Sequence, residues 1–578
     1  MPPHSFPNIN CHGGPIELGL AQLLQQQLEL FGDAIAIESG EFAITFVELH
    51  HKALDLVQKI QHQIHKEEPI GILVPRGINH ILSQVAVVYA GGSCVPLDVD
   101  HPDQHISNLL RNLNASLIFT DLDNRHRLPD FKCVYVDHTS KEGVTVEFDR
   151  IEVSDNGPMS RSHIFHTSGS TGKPKAVQVL ATGVINLVFN EFAPVQKGHR
   201  LGHVCNIGFD VSMWEIWSGL LHGATIVVFE QNVVLDPVEF AWRLQKDQID
   251  VMWQTTSLLA TIAHACPQAY SSVDTLLTGG EAINLQTIRI IFANGPPKQF
   301  YNVYGPTELS VFTTYHLISP WEVETGHIPI GKPLSNLKPF VVDKNLQPVS
   351  YGEVGELLVG GAGVAAGYFG NPEKTSMVFV SAPHLSVTCP TSTGLFYRTG
   401  DLVRMNEVGL IEYLGRQDNE VKIRGQRIEL ESIEWFLLET KLVSAAVALK
   451  VEPEELKSGS ILLAYVVPIS PDIQPQDITQ AYSKLAPHLM APRLEMAESL
   501  VLTSSGKVDR KKLARQFIDR LQAMRLARNC KNGGEYNTES YLQEIWLNIL
   551  GLPDNVLQSS DNFFSIGGTS LQAATLAA

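Results

Sequence analysis

Up to about residue 415 the chain repeats one pattern: short β-rich apolar runs at 70–74, 116–119, 225–229 and 355–359 alternate with amphipathic stretches such as 81–89. A helix between two strands returns the second strand parallel to the first, so this alternation predicts an α/β fold with parallel sheets. The texture changes near Gly415, where the charged stretch RQDNEVKIRGQRIELESIE leads into a compact region that holds the apolar run 461–467 and ends around Leu513. That region reads as a second, smaller α+β unit. Residues 516–537 begin as a basic helical stretch and finish in Asn-Gly-Gly, a composition suited to a connector. Beyond it Leu542, Ile545, Trp546, Ile549 and Leu550 fall on one helix face, which must pack against something.

Of 578 residues, 44% are apolar and 18% charged, which excludes a disordered or collagen-like chain. The 43 Lys and Arg against 61 Asp and Glu leave a formal charge of −18, so most of the surface would repel nucleic acid and anionic membrane alike. Seven cysteines lie far apart with no CxxC pair, as the reduced thiols of a cytosolic enzyme would. The opening MPPHSFPNINCHGG has neither a basic nor an apolar leader segment, and no run of about 18 uncharged apolar residues occurs. A cytoplasmic location is expected, with no membrane and no nucleic-acid partner.

The most informative segment is 166–175, His-Thr-Ser-Gly-Ser-Thr-Gly-Lys-Pro-Lys, directly after the β-like run 163–165. Glycine lets backbone N–H groups approach phosphate oxygens closely, Ser and Thr add donors, and lysine adds charge. The candidate phosphate contacts are Thr167, Ser168, Gly169, Ser170, Thr171, Gly172, Lys173 and Lys175. This is not a Walker A loop, because only two residues separate Gly169 from Gly172 and Pro174 stands where Ser or Thr is required. Nor is Gly361-Ala362-Gly363 a dinucleotide loop, since the third glycine comes one residue late and no βαβ unit is evident. Histidines such as His62 and His65 lack metal-ligand spacing.

The string at 166–175 resembles the phosphate loop of the acyl-adenylate-forming superfamily: adenylation domains of nonribosomal peptide synthetases, acyl- and aryl-CoA ligases, and luciferases. Ala176 stands where glycine is usual. Blocks that resemble the adenylation-domain series occur in family order at 90–98 (AGGSCVPLD), 302–308 (NVYGPTE), 355–368, 397–402 (YRTGDL), 415–418 (GRQD) and 505–510 (SGKVDR). The resemblance implies that Tyr304 stacks on the adenine of ATP, Asn302 meets its edge, Thr307 touches phosphate, and Asp401 and Arg416 hold the ribose. It also implies that Glu308 holds magnesium, a hard cation suited to carboxylate and phosphate oxygen. Asp418 falls at the family's hinge. Lys507 is by the same resemblance the mobile catalytic lysine, whose ammonium offsets charge as the substrate carboxylate attacks the α-phosphate. The implied organisation is a large N-terminal adenylation core (1–416), a small mobile C-terminal subdomain (417–515), a linker (516–537) and an all-α peptidyl carrier domain (538–578).

Within 209–215 (FDVSMWE), Asp210 matches the aspartate that pairs with the substrate α-ammonium in amino-acid-activating members. Fatty-acyl and aryl substrates bring no cation and would leave a buried carboxylate unmatched. By resemblance the side-chain pocket is lined by Val211, Trp214, Trp253, Leu277, Gly279, Val303, Val311 and Phe312. None is charged, which disfavours Asp, Glu, Lys and Arg as substrates. Trp214, Trp253 and Phe312 are bulky and shorten the cavity, so L-alanine is expected first, then serine or valine.

Residues 561–571 (DNFFSIGGTSL) resemble a carrier attachment site, with Ser570 the hydroxyl that receives phosphopantetheine from a phosphopantetheinyl transferase. Eight residues follow Ser570 where the family has two further helices, so a partial carrier is expected, with downstream synthetase domains as partners. The implied chemistry has two half-reactions. Amino acid and ATP, with Mg²⁺, give aminoacyl-AMP and pyrophosphate, and the carrier thiol then takes the aminoacyl group as a thioester. One rival is a stand-alone carboxylic acid CoA ligase, against which Asp210 and Ser570 count. The other is a non-catalytic carrier or scaffold segment, against which the presence of Lys507, Glu308, Asp401 and Asp210 counts.

Overall fold

A computed structural model describes residues 17–139, 153–154, 156–167, 174–190, 192, 195–385, 393–417, 420–423, 426–452, 460–501, 508–529 and 546–547. The alternation in the first 415 residues folds into two sheets of mainly parallel strands. One has nine strands in the order Lys332–Pro333, Thr314–Leu317, Gln299–Tyr304, Thr275–Gly279, Val251–Thr255, Arg200–His203, Thr225–Val228, Ile35–Ser39 and Phe42–Thr45. The six from Gln299–Tyr304 to Ile35–Ser39 run parallel. The other orders Lys132–Tyr135, Leu117–Thr120, Pro69–Leu73, Ser93–Pro96, Arg161–Thr167 and Lys175–Leu180, parallel except for the last.

Helices Ile78–Tyr89, Ala181–Val188 and Val211–His222 contribute to the main apolar core. The first is expected to be amphipathic, yet every residue but Asn79 is buried, because it touches strands of both sheets and has no water-facing side. Its polar groups are paired internally: His80 Nδ1 lies 3.1 Å from Val74 O, and Gln84 Oε1 lies 3.1 Å from His163 Nε2.

The apolar run at 355–359 is a strand, but an antiparallel one. Val354–Gly361 lies between Leu337–Val342 and Phe396–Met405 in a five-stranded sheet completed by Phe379–Val380 and Ile411–Arg416. A continuous apolar run marks a strand covered on both faces and carries no information on its neighbours' direction.

After Arg416 the structure turns α+β, as expected. A hairpin of Glu420–Ile423 and Gln426–Glu429 precedes a three-stranded sheet of Val443–Val451, Ile461–Pro468 and Arg493–Met496, with helices Leu430–Glu439, Pro475–Leu485 and Arg510–Asn529. Strand alternation divides this sheet's side chains between two cores. Ala448, Leu462, Ala464 and Val466 pack with Ile423, Ile428 and Ile433, whereas Val447, Leu449, Leu463 and Tyr465 pack with Leu513, Phe517 and Val508. The hairpin is therefore on one face of the small sheet and Val508 on the other. Of the predicted carrier segment only Trp546 and Leu547 are described, in a helical turn with Leu547 buried; the remaining residues of its apolar face lie outside the described residues. Among the described residues no helix is long and apolar enough to cross a membrane.

Candidate functional site

A cavity of about 450 Å³ opens where the carboxyl ends of the parallel strands meet the hairpin. Open α/β sheets bind ligands there, because loops and helix N-termini converge at those ends. Asp210 lines the cavity and immediately precedes helix Val211–His222, whose N-terminal dipole favours an anion. Burial nevertheless lifts its carboxyl above the usual range, against a hydrogen bond with Thr307 and the charge of Lys422. A desolvated carboxylate of this kind is stabilised by a cationic ligand.

The loop that delivers Asp210 is fixed from below by Glu215, a fully buried residue to which sequence reasoning gave no role. Its carboxylate accepts from Val204 N at 3.3 Å and Cys205 N at 3.2 Å and faces His203 Nδ1 at 2.5 Å. Arg76 holds the same loop from the carbonyl side, donating to Val204 O, to Cys205 O at 3.2 Å and to Phe229 O at 2.9 Å.

Val211, Trp253, Val303, Val311 and Phe312 join Asp210 in the cavity wall. Trp214 is behind that wall, tilted against Phe312 with ring centroids 5.8 Å apart. Leu277 and Gly279 sit on the strand between Trp253 and Val303, in register with both neighbours. A Cβ at Gly279 would come within 2.2 Å of Val303 O, so glycine is what allows that approach.

Three predicted nucleotide residues form a connected group beside the cavity. Tyr304 donates to Asp401, Arg416 donates to the other Asp401 oxygen at 2.9 Å, and Arg416 also lies 3.4 Å from Glu420. Burial raises the Asp401 carboxyl, against Arg416 and the Tyr304 hydrogen bond. Asn302 is buried with its amide donating to Pro329 O at 2.8 Å.

The glycine-rich string connects two antiparallel strands, with Thr167 and Lys175 paired in register at its base. Ser168, Gly169, Ser170, Thr171, Gly172 and Lys173 lie outside the described residues. The Thr167 hydroxyl is buried without a hydrogen-bond partner, and the Lys175 ammonium pairs with Glu429 of the hairpin. Glu308 is fully buried, with one oxygen accepting from Tyr368 at 2.7 Å and the other 2.6 Å from Arg427 of the hairpin. Burial alone would raise its carboxyl, but Arg427, Lys175 and the Tyr368 hydrogen bond hold it below the usual range. A guanidinium already stands where Glu308 would hold a cation, and an orphaned hydroxyl and an ammonium belong to the two residues paired at the base of the phosphate loop. The residues therefore fit magnesium and a phosphate chain.

Sequence reasoning missed the hairpin. Lys422, Gln426, Arg427 and Ile428 line the cavity, joined by His488 and Leu489 of the small unit and His101 and His105 of the core. Registers Glu420↔Glu429 and Lys422↔Arg427 put four charges on one side of the hairpin, with Val421↔Ile428 on the other. The His105 and His488 rings stack across the junction with centroids 3.8 Å apart. Lys507, Asp418 and Ser570 lie outside the described residues. The chain next to Lys507 is held within the small unit, through Asp509 N to Val501 O at 2.8 Å and Arg510 to Glu434 at 2.6 Å.

Comparison with known proteins agrees with this geometry. The AMP-binding enzyme family matches residues 24–369, and the phosphopantetheine attachment site family matches residues 540–578. Nonribosomal peptide synthetase asaC of Aspergillus flavus is 38% identical over 97% of this chain and 55% of its own length. Aldehyde reductase lnaA of the same organism is 38% identical over 96% of this chain and 53% of its length. The chain thus spans about half the length of these curated relatives. Among solved structures, holo-PA1221, an NRPS protein containing adenylation and PCP domains bound to a vinylsulfonamide inhibitor, superimposes with a TM-score of 0.81 at 24% identity, covering 97% of this chain and 91% of that one. The chain belongs to the AMP-binding enzyme family, in the adenylation-plus-carrier arrangement of nonribosomal peptide synthetases.

Proposed function

We propose that this protein activates a small neutral amino acid, L-alanine first and serine or valine next, as an aminoacyl adenylate and loads it onto phosphopantetheine at Ser570. The observation that carries the reading is Asp210, a buried carboxylate at a helix head set into the apolar wall of Val211, Trp253, Val303, Val311 and Phe312. It pairs with the α-ammonium and leaves the carboxylate of the amino acid free to attack. A carboxylate oxygen bonds to the α-phosphorus of ATP as the bond to the bridging oxygen breaks, and pyrophosphate departs. No general base is required.

Tyr304 and Asn302 position the base, Asp401 and Arg416 the ribose, and Thr307 and the loop 167–175 the phosphates. Lys507 stabilises the developing charge. Magnesium, when bound at Glu308, neutralises charge on the leaving pyrophosphate. The small unit then turns about Asp418, and the carrier thiol attacks the acyl carbon, releasing AMP. In this reading the chain divides into 1–416, 417–515, 516–537 and 538–578, with a phosphopantetheinyl transferase and further synthetase domains as partners in the cytoplasm.

ATP–pyrophosphate exchange with a panel of amino acids tests the proposal. Alanine should exchange fastest, and competitors differing by one methylene should fall behind by about 1–3 kcal/mol. Fastest exchange with tryptophan or arginine would overturn the substrate assignment, and no exchange with any amino acid would overturn the reaction.

A further inference from the structure

A row of polar side chains crosses the nine-stranded sheet just below the carboxyl ends of its parallel strands. Gln254, Thr278, Asn302 and His316 are paired in register across four adjacent strands, and strand alternation puts all of them on one face. Two positions earlier on the parallel strands, Met252, Leu276 and Phe300 are apolar core. Asn302, the residue expected at the base edge of ATP, donates an amide hydrogen to Pro329 O at 2.8 Å. Its row neighbours on the other side do not orient it, since the Thr278 hydroxyl and Gln254 Nε2 are buried without hydrogen-bond partners. The orientation of the Asn302 amide is therefore set from the Pro329 side. Pro329 belongs to the segment 319–331, which is fastened at both ends. At its head one Glu322 oxygen lies 2.7 Å from His316 Nε2, and the other accepts from the Ser319 amide and the Ser319 hydroxyl, both at 2.8 Å. At its tail Ile330 O accepts from the Thr314 hydroxyl at 2.7 Å.

We infer that Glu322 and His316 set which nucleobase this protein accepts, by holding the Pro329 carbonyl where it takes an amide hydrogen of Asn302. Asn302 meets the base edge in the functional reading above, on which this inference rests. A carbonyl can only accept, so Pro329 O must face the Asn302 NH₂ group and leaves Oδ1 for the ligand. Oδ1 is itself an acceptor. It bonds the 6-amino group of adenine, a donor, and opposes the 6-oxo group of guanine or hypoxanthine, a second acceptor. With the segment free to shift, the amide could turn over and present NH₂ instead, and the distinction between the two kinds of purine would fade. A site built around a hydrogen bond rejects a ligand that lacks its half of the bond, because the group in the protein is then left unpaired. Glu322 and His316 touch no ligand in this scheme and are positioning residues.

The test is calorimetric titration of the full chain with AMP and with IMP, which differ only along that base edge. AMP should bind tighter than IMP by about tenfold or more. Glu322→Ala should shrink that ratio by about threefold or more, through loss of AMP affinity. Glu322→Gln, whose amide oxygen still accepts from Ser319, should restore much of it. General loosening of the site would weaken both nucleotides alike and leave the ratio unchanged. A ratio near one in the unmodified chain, or the same ratio in Glu322→Ala, overturns the inference, and amino-acid-dependent pyrophosphate exchange by that protein would leave the enzymatic reading intact. A preference for AMP that falls in Glu322→Ala, in protein that exchanges with no amino acid, upholds the positioning role and refutes the enzymatic reading. Should Glu322→Ala fail to fold, His316→Leu removes the same contact from the strand side and is read in the same way.

Discussion

Two ionic assemblies in this protein are each built around a fully buried glutamate and differ in which parts of the chain supply their members. Glu215, His203 and Arg76 all belong to the large core: Glu215 holds His203 and the Val204 and Cys205 amides, and Arg76 holds the Val204 and Cys205 carbonyls. Glu308, Lys175, Arg427, Glu420 and Glu429 are as well buried or nearly so, but two come from the core and three from the hairpin. A pair whose halves belong to one packed body cannot be exchanged without unfolding that body. A pair divided between two bodies can be exchanged for a ligand whenever they separate. The first assembly fixes the geometry of Asp210, and the second reports where the small unit is.

The sharpest way to break that contrast is stability. Glu215→Ala leaves His203 and the Val204 and Cys205 amides facing a void, and removal of one member of a buried pair costs about 3–5 kcal/mol. Glu429→Gln should cost about 1 kcal/mol or less in the same urea titration, because the hairpin can lift and let water reach Lys175. Equal losses would show the divided assembly to be as structural as the sealed one.

Activity should separate the two bodies further. Lys507→Ala is expected to lower amino-acid-dependent pyrophosphate exchange about 10²–10³-fold, the range for losing one electrostatic stabiliser, while sparing thioester formation from preformed adenylate. Asp418→Pro should act in the opposite sense, hindering the second step more than the first. Parallel losses in both steps for both variants contradict a division of labour between core and small unit.

Within the core, the wall around Asp210 should be more sensitive than what backs it. Trp253 lines the cavity and Trp214 supports Phe312 from behind. Trp253→Leu should therefore shift the preference between alanine and leucine by about 10–200-fold, and Trp214→Leu by less than about tenfold. A larger shift from Trp214 in competitive exchange assays would mean that the wall is misassigned.

Residue patterns local in sequence were legible. The β-rich alternation gave the parallel sheets, the glycine-rich string lies where strands Arg161–Thr167 and Lys175–Leu180 turn back, and Asp210 stands at a helix start. What was not legible depends on distant pairing. Nothing near residue 355 announces that its strand runs antiparallel to Phe396–Met405, and Arg427 meets a partner 119 positions away. Trp214 illustrates the same limit within one helix: its place on the motif suggested a wall residue, but whether a bulky ring fills the front or the back of a wall is set by Phe312, which belongs to another segment. The charged stretch after Gly415 was read as texture because its two faces become distinct only once the hairpin register is known.

The smallest predicted effect concerns the other contact between the two bodies. His105 and His488 stack across the junction, with His101 at 5.1 Å from His105 and His166 also close enough to act on it. Burial first, then the neighbouring imidazoles, lowers His105 to about 3 and His488 to about 4. Both are neutral when docked and regain an ordinary value near 6.5 when the small unit moves away. Protons therefore bind the separated arrangement preferentially: docking is fully supported above about pH 6.5 and weakens as the pH falls from there towards 4. Each histidine contributes at most about tenfold per pH unit, reduced to about threefold by partial solvent access. Deuterium uptake around residues 486–490 should thus rise about threefold to tenfold between pH 7.5 and 5.5, after correction for intrinsic exchange. His105→Phe keeps an aromatic ring against His488 without a titrating group of its own and should remove much of that rise. An equal pH response in His105→Phe would assign the effect to the hairpin charges and dissolve the distinction between a titrating contact and an exchangeable one.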